Sequence, residues 1–131
     1  MSIFTDAELA YLAKQPLMRF ASASLTGKPD VSPVVFKVDG DTITSGGFDI
    51  KKTVRYRNIL ANPQVTVVVD DLASFDPWTP RGIKIIGTAT IEDGASPRFR
   101  IHPQVIISWA INDTTPGIPT MERREVGSAI D

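Results

Sequence analysis

The chain has no cysteine and a single histidine, His102, among 131 residues. Lack of cysteine excludes disulfides, thiolate catalysis and cysteine-ligated metal. An excess of charge of one sign is also missing. Lys and Arg number 14, Asp and Glu 15, and the net charge is −1, so no global field favours nucleic acid or a membrane surface. Any anion site must therefore be a local cluster. No apolar run approaches the ~20 residues of a membrane helix, and MSIFTDAELAY lacks the basic-then-apolar order of a signal peptide. A soluble, cytoplasmic protein is expected. Neither GxxxxGK[ST] nor GxGxxG occurs, so neither standard nucleotide fold is supported. No nucleophile elbow or Ser/His/Asp order is present. His102 reads as a structural histidine, and Asp70, Asp71 and Asp76 as loop solvation rather than metal ligands.

With 42% apolar and 22% charged residues the composition is that of an ordinary globular protein, and the length fits one domain. Thr5 with Glu8 three residues later forms a capping box, and Phe4 with Leu9 suits a hydrophobic staple. Pro16 stops this first helix. Strands are expected over 18–24, 31–38, 42–45, 65–69, 84–91 and 99–109, with a second helix over 50–61. Pro33 argues for an edge or a bulge, since proline cannot feed a sheet ladder. Asp39-Gly40 reads as a hairpin turn, and 70–82 as a loop. From Phe99 to Trp109 every odd position is apolar or proline, the period of a half-buried strand in two pieces joined at Pro103. These signals predict a mainly β fold over 1–111, six strands in a closed or partly closed antiparallel sheet with two short helices. A polar tail over 112–131 is expected to be poorly ordered.

Chemistry concentrates in SGGFDIKKTVRYRN, residues 45–58. Lys51, Lys52, Arg55 and Arg57 crowd the start of a helix, where the macrodipole opposes cations by roughly 0.3–1 kcal/mol each. Like charges four apart, Lys51 and Arg55, add about 0.2–0.5 kcal/mol. A bound oxyanion resolves the conflict. Helix N–H groups, the Thr53 hydroxyl and the Arg55 fork could hold it, and Gly46-Gly47 lets backbone approach closely. The same bases also fit a solvated helix face paired with Asp49, Asp70 or Asp71. In PWTPRG, Trp78 could stack on a ring system and Arg81 could hold an anion, or Trp78 could plug a barrel end. A chain so poor in acid–base groups suits a protein whose cofactor carries the difficult chemistry.

FTDAELAYLAKQPLMRFASAS, GKPDVSPVVFKVDGDTITSGG, KKTVRYRNILANPQVTVVVDDLASFDPWTPRG and FRIHPQVIISWAI together resemble the pyridoxamine 5′-phosphate oxidase-like superfamily. More closely they resemble its F420-dependent oxidoreductase branch. The resemblance implies a split β-barrel homodimer with two cofactor sites at the subunit interface. It implies that Thr53, Arg55 and Asn58, with Lys51 and Lys52 near, bind the cofactor phosphate. Pro33 and Val34 match the strand against the ring system, and Trp78, Pro80, Arg81 and Gly82 a loop near the site. The implied cofactor is coenzyme F420, a deazaflavin that donates a hydride to an unsaturated small molecule. FMN in the same barrel, a non-catalytic F420 carrier, and a haem barrel using His102 are the alternatives. The ending ERREVGSAID lacks the arginine- and histidine-bearing motif of true pyridoxamine phosphate oxidases. No catalytic residue or proton donor is assigned, and neither a metal nor a nucleic-acid or membrane partner is expected.

Overall fold

The structure is a computed structural model in which residues 2–112 and 116–127 are described. Helix α1 spans Asp6–Ala13. The predicted capping box is in place: Glu8 N–H donates to Thr5 Oγ1 at 3.1 Å, and Thr5 N–H to Glu8 Oε1 at 2.9 Å. Strands follow as β1 (Met18–Ala23), β2 (Pro29–Val34), β3 (Lys37–Asp39) and β4 (Thr42–Ser45). A single 3₁₀ turn, Ile50–Lys52, precedes helix α2 (Val54–Ala61). The chain then runs through β5 (Gln64–Ser74), β6 (Thr79–Glu92), β7 (Arg98–Trp109) and β8 (Met121–Glu125).

All eight strands join one antiparallel sheet in the order β2-β1-β5-β6-β7-β4-β3, with β8 also on β7. Pro33 lies in β2 at the sheet's edge, opposite Arg19 of β1, the position where a strand tolerates proline. One edge of β7 is shared by two strands. Its first half, Phe99 to Ile101, pairs with β4, and its second, Val105 to Trp109, with β8. The sheet is therefore split, not a closed cylinder.

The division falls at a β-bulge. Gly87 opposes Pro103 and Ile86 opposes Val105, so Gln104 is the extra residue. One extra residue exchanges the two faces of a strand. Phe99, Ile101 and Pro103 are buried before it, Ile106 and Ser108 after it. Gly87 is required there, because a Cβ would collide with the carbonyl oxygen of His102. The core gathers Met18, Phe20, Val67, Val69, Ile83, Ile85, Phe99, Ile101 and Ile106 with Leu12 from α1 and Ile59 from α2. Phe20 and Phe99 meet edge to face, 5.5 Å between centroids.

Four sequence expectations are corrected. The expected strand 31–38 divides into β2 and β3, and part of the tail forms β8, giving eight strands rather than six. The tail is drawn in because Arg124, opposite buried Ile106, meets Glu8 through Nη2–Oε1 at 2.7 Å and Nη1–Oε2 at 2.9 Å. Tail residues 113–115 and 128–131 lie outside the described residues. The 70–82 segment is mostly ladder, with Asp70 to Ser74 pairing Thr79 to Gly82 and only 75–78 left as the turn. Finally, Val105, Ile107 and Trp109 lie on the opposite face from Phe99 and Ile101, because the bulge at Gln104 reverses the alternation in a single continuous strand. Among the described residues no helix is long and apolar enough to cross a membrane.

Candidate functional site

The segment after β4 turns sharply before α2. Gly47 takes φ 155° and Asp49 φ 46°, the first in a region that favours glycine. The 3₁₀ turn then carries Lys51 and Lys52, and α2 begins only at Val54. Thr53 is its N-cap: Oγ1 accepts from Tyr56 N–H at 3.2 Å and donates to Ile50 O at 2.5 Å. Its hydroxyl is thus already engaged in forming the corner. Lys51 pairs with Asp93 at 3.5 Å and Lys52 with Asp49 at 3.6 Å, both exposed. Such pairs contribute about 0–1 kcal/mol, so either lysine can turn to a stronger anion.

Arg55 is different. It sits in the first turn of α2, half-buried, its guanidinium over the Phe99 ring at 5.7 Å from the centroid. Its Nε is buried and has no hydrogen-bond partner among the described residues. Burial pushes its pKa below the usual guanidinium value, and the Asp30 carboxylate pulls weakly the other way. A buried donor left unpaired costs about 1–3 kcal/mol, more when charged. An oxyanion at this corner would supply the missing acceptor.

Alongside lies a cleft of about 570 Å³ between 46–51 and 95–98, lined by Gly46, Gly47, Phe48, Lys51, Pro97 and Arg98. Ser45 Oγ donates to Val35 O at 2.8 Å, which ties the end of β2, with exposed Pro33 and buried Val34, to the strand entering the corner. Asn58 faces inward. It is buried and donates through Nδ2 to Ser22 Oγ at 3.1 Å, seating α2 on β1. The structure shows Thr53 and Asn58 as building groups of the corner and leaves Arg55, Lys51 and Lys52 as its available cations.

Trp78, Pro80, Arg81 and Gly82 occupy the β5–β6 hairpin, which the chain does not bring to that corner. Gly82 opposes Trp109 and Ile91 opposes Phe99, so the two groups are separated by roughly 30 Å of strand at ~3.3 Å per residue. Arg81 holds no free fork. It binds Asp71 bidentately, Nε–Oδ1 2.7 Å and Nη2–Oδ2 2.9 Å, and lies over the Tyr11 ring at 5.3 Å. Tyr11, buried in the core, donates its hydroxyl to Asp71 Oδ1 at 2.7 Å. Burial first, then the hydrogen bond to Asp71, pushes the Tyr11 hydroxyl above its usual range. Arg81 holds Asp71 below the ordinary carboxylate range. Asp71 thus already pairs with the Arg81 fork that the sequence offered to a ligand anion. Trp78 stands exposed at the tip, edge to face with Phe75 at 5.7 Å, and plugs no barrel end. His102 accepts or donates a single hydrogen bond, Nε2 to Thr90 Oγ1 at 2.9 Å.

The sequence reading missed Phe99 as the floor under Arg55, Arg98 as a wall of the cleft, and the Tyr11–Asp71–Arg81 cluster. Only the last had a usable signal. Residues 71 and 81 are symmetric about 76, the centre of a hairpin.

The domain is an antiparallel split barrel with a cationic corner beside a Gly-bearing cleft. The pyridoxamine 5′-phosphate oxidase family model matches residues 4–119, and the chain belongs to that family. It is 35% identical over 127 residues to a 5a,11a-dehydrotetracycline/5a,11a-dehydrooxytetracycline reductase of Streptomyces rimosus, covering 88% of this chain and 89% of that protein. Among solved structures, a conserved hypothetical protein of Mycobacterium tuberculosis superposes with TM-score 0.72 at 16% identity, covering 96% of this chain and 94% of that one. HutZ, a heme storage protein of Vibrio cholerae, superposes with TM-score 0.62 at 14% identity, covering 79% and 91%. The last two likenesses concern the fold alone.

Proposed function

We propose that the protein is an oxidoreductase that uses reduced coenzyme F420 to reduce an unsaturated organic substrate. Kinship with a named reductase supports oxidoreductase chemistry, and the single observation that carries the cofactor assignment is Arg55, a half-buried cation whose Nε lacks an acceptor. The corner fits a phosphate-bearing cofactor: Arg55 would bind the phosphate in fork geometry, Lys51 and Lys52 would leave weak exposed partners to add charge, and the backbone at Gly47 would approach it closely. When bound, the deazaflavin supplies a hydride. The chain's own groups would anchor the phosphate, with buried Ile50 packed under the cleft and exposed Phe48 at its rim. The Streptomyces relative acts, by its name, on a dehydrotetracycline, which supports a conjugated polycyclic substrate here.

The protein is further proposed to work as a homodimer. The Arg55 corner and the aromatic hairpin stand at opposite ends of β6 and β7, so one chain alone does not assemble both parts of a site. A second copy supplies the missing half if each subunit's hairpin reaches the other's corner. Light scattering at micromolar concentration is expected to give twice the chain mass.

The deciding experiment titrates apo-protein with F420 and, separately, with FMN, following cofactor fluorescence. Micromolar F420 binding with weaker FMN binding is the expected result. FMN binding without F420 binding would assign the barrel to FMN. Tight F420 binding without turnover of any quinone or enone would make the protein a carrier.

A further inference from the structure

The β5–β6 hairpin runs out beyond the rest of the sheet. β1 holds β5 only through Arg19 to Ala21 against Thr66 to Val68, and β7 leaves β6 at Gly82 opposite Trp109. From Asp71 to Arg81 the ribbon has only its own ladder. A two-stranded ribbon is marginal by itself, and this one ends in two exposed aromatics, Phe75 at 78% and Trp78 at 57% exposure. Apart from one long contact, Gly117 N–H to Trp78 O at 3.4 Å, its brace is at the base. There Tyr11, 5% exposed within α1, donates to Asp71 while Arg81 grips the same carboxylate from the facing strand and stacks on the Tyr11 ring. Asp71 and Arg81 are direct cross-strand partners. Pinning that pair to the core fixes the angle at which the ribbon leaves the barrel.

We propose that Tyr11 is a positioning residue: the Tyr11–Asp71–Arg81 clamp sets the pose of the hairpin arm, whose Phe75–Trp78 pair is a stacking platform for a flat conjugated substrate ring. An edge-to-face pair leaves an aromatic face open to solvent, and such a face binds planar π systems without hydrogen-bond readout. The substrate class, though not the clamp itself, rests on the reductase reading above.

The test uses full-length protein carrying Trp109→Phe, so that Trp78 is the sole tryptophan, with and without Tyr11→Phe. Tyr11→Phe keeps the ring and its packing and removes only the hydroxyl; Asp71→Asn is the second variant. Three quantities are read: acrylamide quenching of Trp78, the affinity for menadione (a flat naphthoquinone) from saturable Trp78 quenching, and the affinity for F420. Tyr11→Phe is expected to raise the acrylamide quenching constant at least 1.5-fold and weaken menadione at least fivefold, with F420 affinity within twofold. If turnover is measurable, KM for menadione rises and kcat stays within twofold. Unchanged acrylamide quenching and menadione affinity in both variants overturn the proposal, as does a loss of menadione and F420 binding in equal proportion. Failure of the parent protein to bind F420 overturns the reductase reading alone, since the menadione titration judges the clamp without cofactor.

Discussion

The Arg55 guanidinium rests on the Phe99 ring, 5.7 Å from its centroid, with a buried Nε that meets no acceptor among the described residues. The ring half-compensates the charge. Cation–π contact is worth about 0.5–2 kcal/mol, and a hydrogen bond to a charged group about 1.5–3 kcal/mol, so an oxyanion bound here would add more than the ring already supplies. The arrangement holds the fork in place before a ligand arrives, which lowers the ordering penalty of binding.

Removing that cation should therefore be felt in affinity before it is felt in folding. Arg55→Ala is expected to weaken F420 binding by roughly 1.5–3 kcal/mol, the range for hydrogen bonds to charged groups, or about 10- to 150-fold. Arg55→Lys should recover only part, since an ammonium lacks the fork. A fluorescence titration reads both, and unchanged affinity in Arg55→Ala would put the phosphate elsewhere.

A second ionic cluster lies on the outer end of the sheet, and it gives a pH signature. Arg100 donates to Glu92 at 2.6 Å and Arg98 at 2.8 Å. These bonds, Arg100's first, lower the Glu92 carboxyl from 4.5 to about 2. A carboxyl lowered in the folded state stabilises fully above its unfolded value and loses that contribution as pH falls towards the folded one. The melting-temperature gap between the parent protein and Glu92→Gln should be constant above about pH 5 and close between about 4.5 and 2. A gap that ignores pH would show that Glu92 titrates normally.

Much of this architecture is legible from local chemistry. Thr5 and Glu8 are three residues apart, so the capping box needs no tertiary knowledge, and Phe99 and Ile101 announce their buried face by alternation alone. What fails is whatever a distant strand decides. The exchange of faces at Gln104 depends on Gly87, seventeen residues earlier, whose hydrogen is the only side group that tolerates the His102 carbonyl. The orientation of Asn58 in α2 depends on Ser22 of β1, thirty-six residues earlier. The cationic corner was visible as a run of bases, yet its division into paired lysines and an unpaired arginine rests on Asp93, Asp49 and Phe99.

Glycines at the bulge and at the corner should behave oppositely. At Gly87 a methyl group would meet backbone that has no room to move, and overpacking typically costs about 1–3 kcal/mol. At Gly46 the nearest atom to an added Cβ is Arg98 Cβ at 3.9 Å, an ordinary contact. Gly87→Ala is expected to lower the urea midpoint clearly, and Gly46→Ala to leave it nearly unchanged. Equal midpoints for the two variants would mean that the bulge relaxes at little cost.

The tail strand supplies the last prediction. Glu8 is 1% exposed, and besides capping α1 it accepts two bonds from Arg124, whose Nη2 also donates to Ile3 O at 2.8 Å. Truncating Arg124 strands a buried carboxylate, and removal of one partner of such a pair costs about 3–5 kcal/mol. At roughly 3–5 °C per kcal/mol for a domain of this size, Arg124→Ala should lower Tm by at least 9 °C. Glu8→Gln in the same protein should return part of the loss, because the neutral amide carries no stranded charge. If the double variant melts no higher than Arg124→Ala alone, the ion pair is not what fastens β8 to α1.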